Sequence, residues 1–231
     1  MPMILSPILS LAEIDIYLTR FSEIKSSNLV DFHKLLSEDE LLRLDLIKSK
    51  EAKYAYIASR GLLRKIICCN FQLDNNSLDF SYSSDGKPRF SCLTSPSAES
   101  KKFNLSHSGD YFILAIGEVE LGIDIQFTGG NILFYRMLHN ILDKQEMSEF
   151  SKLPLHDQNK AFYRIWSRKE SVLKYLGKGL SYPMPKIMAS LSPNIEVDLF
   201  LINSGSTGRA ITRDLDFQLK NYVSAITWYV G

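Results

Sequence analysis

The sequence predicts an α+β fold in which helices and short strands are segregated within each half of the chain. Three observations predict it. Apolar residues recur at helical spacing over residues 50–69 and again over 162–176. Short strand-like runs bounded by turn residues follow each helical region, over 79–116 and over 195–230. Helices then strands is thus an order that occurs twice, which argues against the strand–helix alternation of a parallel doubly wound sheet. No residue-level repeat accompanies it, so any duplication is one of element order.

In order along the chain, the sequence predicts an early strand at 14–18, then a loop and a short helix. Ser37-Glu38-Asp39-Glu40 is an acidic N-terminal cap opening a helix through residue 47. The helix over 50–69 puts Tyr54, Ile57, Ala58, Leu62, Ile66 and Cys69 on its apolar side, and Lys53, Arg60, Arg64 and Lys65 on a face that reads as solvated. Strands are expected at 79–83, 89–92, 103–105 and 111–116, with Gly86-Lys87-Pro88 as a turn and 93–102 as a polar loop. A strand over 118–126 ends at Thr128-Gly129-Gly130. Helices are expected at 131–140 and 143–153, and a longer one from Asp157 that Gly177 and Gly179 stop. Strands at 195–202, 210–215 and 222–230 complete the chain.

The 231 residues are 45% hydrophobic and 23% charged, enough for one large domain or two halves of about 100 residues. The net charge of +1 supplies no global field for nucleic acid or a membrane, so an anion site must be local. A nucleic-acid-binding helix at 50–65 is disfavoured by that balance and by the lack of an aromatic platform. Three cysteines, Cys68, Cys69 and Cys92, form neither a disulfide framework nor zinc-ligand spacing, and read as reduced core thiols of a cytosolic protein. The apolar start carries acids and prolines without a basic lead, so it predicts neither a signal peptide nor a membrane span.

Three stretches carry chemistry. In Phe162–Leu180 the residues Trp166, Glu170 and Lys174 follow at i, i+4, i+8, stacking an aromatic, a carboxylate and an amine on one edge. In Leu121-Gly-Ile-Asp-Ile-Gln126 a strand turns Asp124 and Gln126 to one face, two oxygen donors of the kind a hard cation prefers. In Phe103-Asn-Leu-Ser-His-Ser-Gly109, Ser106 and His107 are donors beside a glycine that admits close approach of an anion. Taken singly these patterns also fit a surface ion pair, a strand-end aspartate and a satisfied polar loop.

The ordered set G-K-P, N-L-S-H-S-G, G-I-D-I and W-S-R-K-E-S-V-L-K-Y-L-G-K-G-L, spanning about residues 37–181, resembles the 4′-phosphopantetheinyl transferases of the surfactin-synthetase-activating type. The resemblance implies a pseudo-dimeric fold of two similar lobes, each a small antiparallel sheet on a long helix. Residues 1–117 would form the lobe that contacts the coenzyme A phosphates, and 118–231 the lobe with the metal-binding strand and signature helix. It implies a cytoplasmic monomer that moves phosphopantetheine from coenzyme A, its co-substrate, to a serine of an apo acyl carrier protein or peptidyl carrier domain. The metal would be Mg²⁺, with Mn²⁺ as the alternative, on Asp124, Glu170 and Gln126; Gln126 stands where the family more often has an acid. Glu170, Lys174 and Glu146 are the implied catalytic set. Glu170 would accept the serine proton, unless a lysine of burial-lowered pKa does so. Arg43, Lys50, Gly86, Lys87, Pro88, Ser106 and His107 are the implied coenzyme contacts, with Arg60 and Arg64 bracing their helix. The alternative is a noncatalytic binder of coenzyme A or carrier protein that has lost a metal ligand at Gln126.

Overall fold

Alternation and helical periodicity place the same kinds of residue inward in both halves. The protein is described by a computed structural model covering residues 6–83, 86–91, 96–129, 134–193, 196–203 and 206–231. The first half opens with a hairpin, β1 (Leu9–Leu11) and β2 (Ile14–Arg20), whose turn residues Ala12 and Glu13 have positive φ. Helices α1 (Ser26–Leu35), α2 (Glu38–Leu46) and α3 (Lys50–Phe71) follow. Ser37 caps α2 as expected, in a reciprocal box: its side chain accepts from Glu40 N while the Glu40 carboxylate accepts from Ser37 N. A hairpin of β3 (Asp79–Tyr82) and β4 (Pro88–Ser91) turns at Gly86, whose φ of +83° suits glycine. A short helix α4 (Pro96–Glu99) stands in the expected polar loop, before β5 (Lys102–Ser108) and β6 (Tyr111–Gly117).

The second half comprises β7 (Leu121–Phe127), α5 (Leu138–Ile141), α6 (Lys144–Ser151), α7 (Leu155–Leu176), β8 (Val197–Asn203), β9 (Ser206–Asp214) and β10 (Tyr222–Tyr229). Each half holds a four-stranded antiparallel sheet, in the orders β1-β2-β6-β5 and β7-β10-β9-β8. In both, the strand before the helices pairs with the last strand, which pairs in turn with the one before it. The helix–strand segregation predicted an α+β architecture, and the molecule has one.

The period of two along each strand feeds three apolar clusters. In β6, Phe112, Leu114 and Ile116 face α3, while Ile113 and Ala115 face the second sheet. Ile14, Ile16, Ile123, Ile125, Ile226 and Trp228 complete that layer between the sheets. Phe162, Ile165 and Leu173 of α7 fill a third cluster, with Trp166 and Leu176 packed at its edge.

Several expectations need correction. The basic face of α3 is not all solvated: Arg64 is buried and Arg60 nearly so, because both bond the Glu40 carboxylate at 2.6 Å. Cys69 is exposed, not on the apolar side of α3, whereas Cys68 is half-buried and packs against the core; Cys92 lies outside the described residues. The helix expected over 131–140 is a single α turn, α5, after a 3₁₀ turn at Phe134–Arg136, with 130–133 outside the described residues. Helix α7 starts at Leu155, two residues before the expected Asp157, because Pro154 occupies its N-cap. β1 has no counterpart among the strands expected from the sequence. Among the described residues no helix is long and apolar enough to cross a membrane.

Candidate active site

The site lies where β7 meets the last two turns of α7, and a glycine sets their spacing. A Cβ at Gly122 would overlap the Ser171 carbonyl oxygen and the Tyr175 nitrogen, so only glycine lets the helix lie this close to the strand. Two residues on, Asp124 therefore points directly at α7. It is buried, and Lys174 Nζ donates to its Oδ1 at 2.7 Å and to the Ile123 carbonyl at 3.1 Å. Ser106 Oγ donates to Asp124 Oδ1 at 2.9 Å, and Gln126 Nε2 donates to Oδ2 at 3.0 Å. Strand alternation and helix periodicity thus bring Asp124, Gln126 and Lys174 together.

Glu170 sits one turn before Lys174. Its Oε1 is buried without a hydrogen-bond partner. Burial, then the negative charge of Asp124, push its carboxyl up to about 7 against the opposing pull of Lys174. An orphaned buried carboxylate oxygen facing a second carboxylate is the arrangement a divalent cation relieves. Among the described residues no group of three or more His, Cys, Asp or Glu side chains is placed to hold a metal. The oxygen set is two carboxylates with the Gln126 amide, all hard donors, and it suits Mg²⁺ in kind.

The N-L-S-H-S stretch does something its composition does not announce. Asn104, Ser106 and Ser108 alternate on one side of β5 and meet the free edge of β7. Asn104 Oδ1 accepts from Ile123 N at 2.9 Å, Ser108 Oγ accepts from Phe127 N at 3.0 Å, and Ser106 holds Asp124 between them. The two halves are joined here by side chains that satisfy strand-edge N–H groups. The family resemblance implies Ser106 on a phosphate, but its single hydroxyl proton is directed at Asp124. His107 points the other way and is exposed, with the Phe21 ring 6.2 Å from its own; the surrounding protein and the charge of Lys174 lower its pKa.

The remaining expected residues divide. Arg43 is exposed and its guanidinium lies 4.6 Å from the centre of the Tyr82 ring, while Lys50 is exposed in the first turn of α3. Gly86 and Pro88 line a cavity of about 180 Å³ together with Asn104, Leu173, Lys174 and Gly179. Lys87 lines it as well, but its ammonium is not free: it donates to Glu120 Oε2 at 2.9 Å, Leu121 O at 3.0 Å and Tyr175 O at 2.9 Å. Glu146, expected beside the metal, is the N3 residue of a capping box with Asp143 and pairs with the buried Lys169 at 2.6 Å. Its bonds run to Asp143, Lys169 and Ala189, none to Asp124, Glu170 or Lys174. Gly122, Asn104 and Ser108 are the site residues that sequence reasoning missed. Strand alternation in N-x-S-x-S was the available signal.

Two family models match the chain, the 4′-phosphopantetheinyl transferase superfamily over residues 120–227 and the 4′-phosphopantetheinyl transferase N-terminal model over 25–119. The chain is 30% identical over 194 residues to the 4′-phosphopantetheinyl transferase Sfp of Bacillus subtilis (strain 168), covering 84% of each. It is 30% identical over 190 residues to the 4′-phosphopantetheinyl transferase HetI of Nostoc sp., covering 81% of this chain and 78% of that one. The human L-aminoadipate-semialdehyde dehydrogenase-phosphopantetheinyl transferase is 31% identical over 157 residues, 64% of this chain and 50% of that one. With helix-borne Glu170 and Lys174 closed onto Asp124 of the G-I-D strand, and that identity along most of its length, the chain belongs to the 4′-phosphopantetheinyl transferase superfamily and is an enzyme of that class.

Proposed function

We propose that this enzyme transfers the 4′-phosphopantetheine arm of coenzyme A to a serine of an apo acyl or peptidyl carrier protein, with Mg²⁺ as its metal. The observation that carries the reading is the convergence of Asp124, Glu170 and Lys174 around one unpartnered carboxylate oxygen. The serine oxygen forms a bond to the phosphorus that bears pantetheine. The bond from that phosphorus to the bridging oxygen breaks, and adenosine 3′,5′-bisphosphate leaves with the electron pair.

Asp124, Glu170 and the amide oxygen of Gln126 are the groups that would hold Mg²⁺, which neutralises diphosphate charge when bound. Ser106 orients Asp124, and Gln126 holds its second oxygen. Glu170 is also the group assigned to accept the serine proton, directly or through a water. Lys174 is the cation set to stabilise charge on the leaving phosphate. Arg43, Lys50 and His107 supply donors for the coenzyme phosphates, and Gly86 and Pro88 shape the cavity beside Lys174.

The test is mass spectrometry of a panel of apo-carrier proteins after incubation with coenzyme A and Mg²⁺. At least one carrier serine gains the phosphopantetheine mass, and chelation of the metal prevents it. Tight coenzyme A binding with no carrier modified across the panel would instead favour a noncatalytic binder.

A further inference from the structure

The ammonium of Lys87 joins a turn of the first half to two segments of the second. Lys87 belongs to the turn of the β3–β4 hairpin. Its three acceptors are Glu120 just before β7, the first carbonyl of β7 at Leu121, and the Tyr175 carbonyl in the last turn of α7. An ammonium has three protons, so its donor capacity is filled. The side chain is 8% exposed, and Glu120 is held a second time by Arg89 of the same hairpin at 3.1 Å. Burial lowers the Lys87 pKa while the Glu120 carboxylate opposes the shift.

The position of each acceptor matters. The last carbonyls of a helix lack intrahelical partners, and a cation there is favoured by the helix dipole. Gly177 N and Lys178 N close the Leu173 and Lys174 carbonyls, leaving the Tyr175 carbonyl to Lys87. Tyr175 follows Lys174 directly. Leu121 lies three residues before Asp124 on the strand that Gly122 brings against α7. Lys87 therefore ties the end of the helix that carries Glu170 and Lys174 to the start of the strand that carries Asp124.

We infer that Lys87 is a positioning residue for the transfer reaction, a buried clamp that fixes α7 against β7 from the opposite half, and not a ligand of the coenzyme A phosphates. The inference rests on the transferase reading above. A misplacement of Lys174 or Glu170 by a fraction of a bond length is enough to slow displacement at phosphorus, whereas removing a phosphate ligand would weaken coenzyme binding first.

Lys87→Met keeps the stem and removes the donors, and Glu120→Gln loosens the clamp more gently if the first variant folds poorly. Three quantities are read: the coenzyme A Kd by calorimetry, kcat and KM on a carrier protein, and amide hydrogen exchange at Gly177 and Lys178. The clamp predicts a Kd unchanged within about twofold and a kcat lowered about tenfold or more, since only placement in the transition state is impaired. It also predicts exchange at Gly177 and Lys178 faster by roughly tenfold, with Glu120→Gln intermediate on each readout. A Kd weakened about tenfold with kcat preserved at saturating coenzyme A makes Lys87 a phosphate ligand and overturns the inference. So does faster exchange with unchanged kcat, which reduces Lys87 to a stabilising bond, and so does unchanged exchange. Exchange and coenzyme affinity are measurable without turnover, so absence of transferase activity in the unaltered enzyme defeats the functional reading while leaving the clamp to be judged on those two.

Discussion

In each half a short capped helix hands a buried glutamate to the 22-residue helix that follows it. Glu40, N3 of the capping box of α2, meets Arg64 of α3 at a separation of 24 residues; Glu146, N3 of the box of α6, meets Lys169 of α7 at 23. The two ion clusters are counterparts, as the two sheet orders are, but their electrostatics differ. Burial raises the pKa of Glu40, yet two guanidiniums and the Ser37 N–H overcome it and leave the group lowered. Burial outweighs the single ammonium at Glu146 and leaves it raised. Among the described residues, only the second half has a further, open cluster on the same long helix, where Glu170 and Lys174 face Asp124. At the matching places of α3 stand Lys65, whose ammonium lies 5.9 Å from the centre of the Phe32 ring, and the exposed Cys69. A common scaffold braces both helices with buried ion pairs; the second half also leaves a carboxylate oxygen, Glu170 Oε1, without a partner.

The comparison is broken most severely by making the second half resemble the first. Glu170→Gln removes a carboxylate held in an unfavourable environment, so the melting temperature without ligand should rise by a few degrees, while carrier modification falls by roughly 10²–10³-fold. Asp124→Asn should lose activity to a similar extent, because it removes the one carboxylate that pairs with the Lys174 ammonium, leaving that ammonium the Ile123 carbonyl. Paired thermal melts and initial rates check both. A variant that loses stability and activity together would mean that the cluster braces the fold as Glu40 does.

The braces themselves should separate next. Glu40→Gln strands the buried Arg64 and the nearly buried Arg60 and is expected to cost about 3–5 kcal/mol in urea melts, more than Glu146→Gln, which strands one lysine. Their pH dependences run in opposite directions. With its folded pKa lowered, Glu40 gives stability that is complete above the ordinary value of 4.5 and lost as pH falls through its own lower value. With its folded pKa raised, Glu146 binds its proton more tightly in the fold, so its contribution declines as pH rises from 4.5 through its own higher value. Urea melts against pH should therefore show a shallower acid limb for Glu40→Gln and no such flattening for Glu146→Gln.

The smallest effect is expected at Gln126. Its amide donates one bond to Asp124, alongside those from Ser106 and Lys174, so Gln126→Ala should retain activity within about threefold. Gln126→Glu should tighten Mg²⁺ binding by placing a charged oxygen on the face of Asp124. Activity against Mg²⁺ concentration reads both. A Gln126→Ala enzyme as inactive as Asp124→Asn would make the amide indispensable to the site.

Local pattern alone determined most of the elements and the apolar faces of the long helices. The spacing of Phe162, Ile165 and Leu173, the Ser37 cap and the Gly177 stop are all set within a few residues, so the long helices, the α+β class and the pairing of Glu170 with Lys174 on one edge were legible. Asp124 and Gln126 on one strand face followed from a period of two. What each polar group bonds to was decided only when the halves came together. Arg64 looks solvated by pattern until Glu40, distant in sequence, takes its charge; Lys87 and Ser106 have the right chemistry for phosphate, yet the fold turns their protons onto Tyr175 and Asp124. Glu146 lies near the signature helix in sequence, and the fold pairs it with Lys169, the residue before Glu170. Residue type and spacing limit which groups a side chain can satisfy; burial in a particular packing selects among them, because a polar group left unpaired away from water is unfavourable.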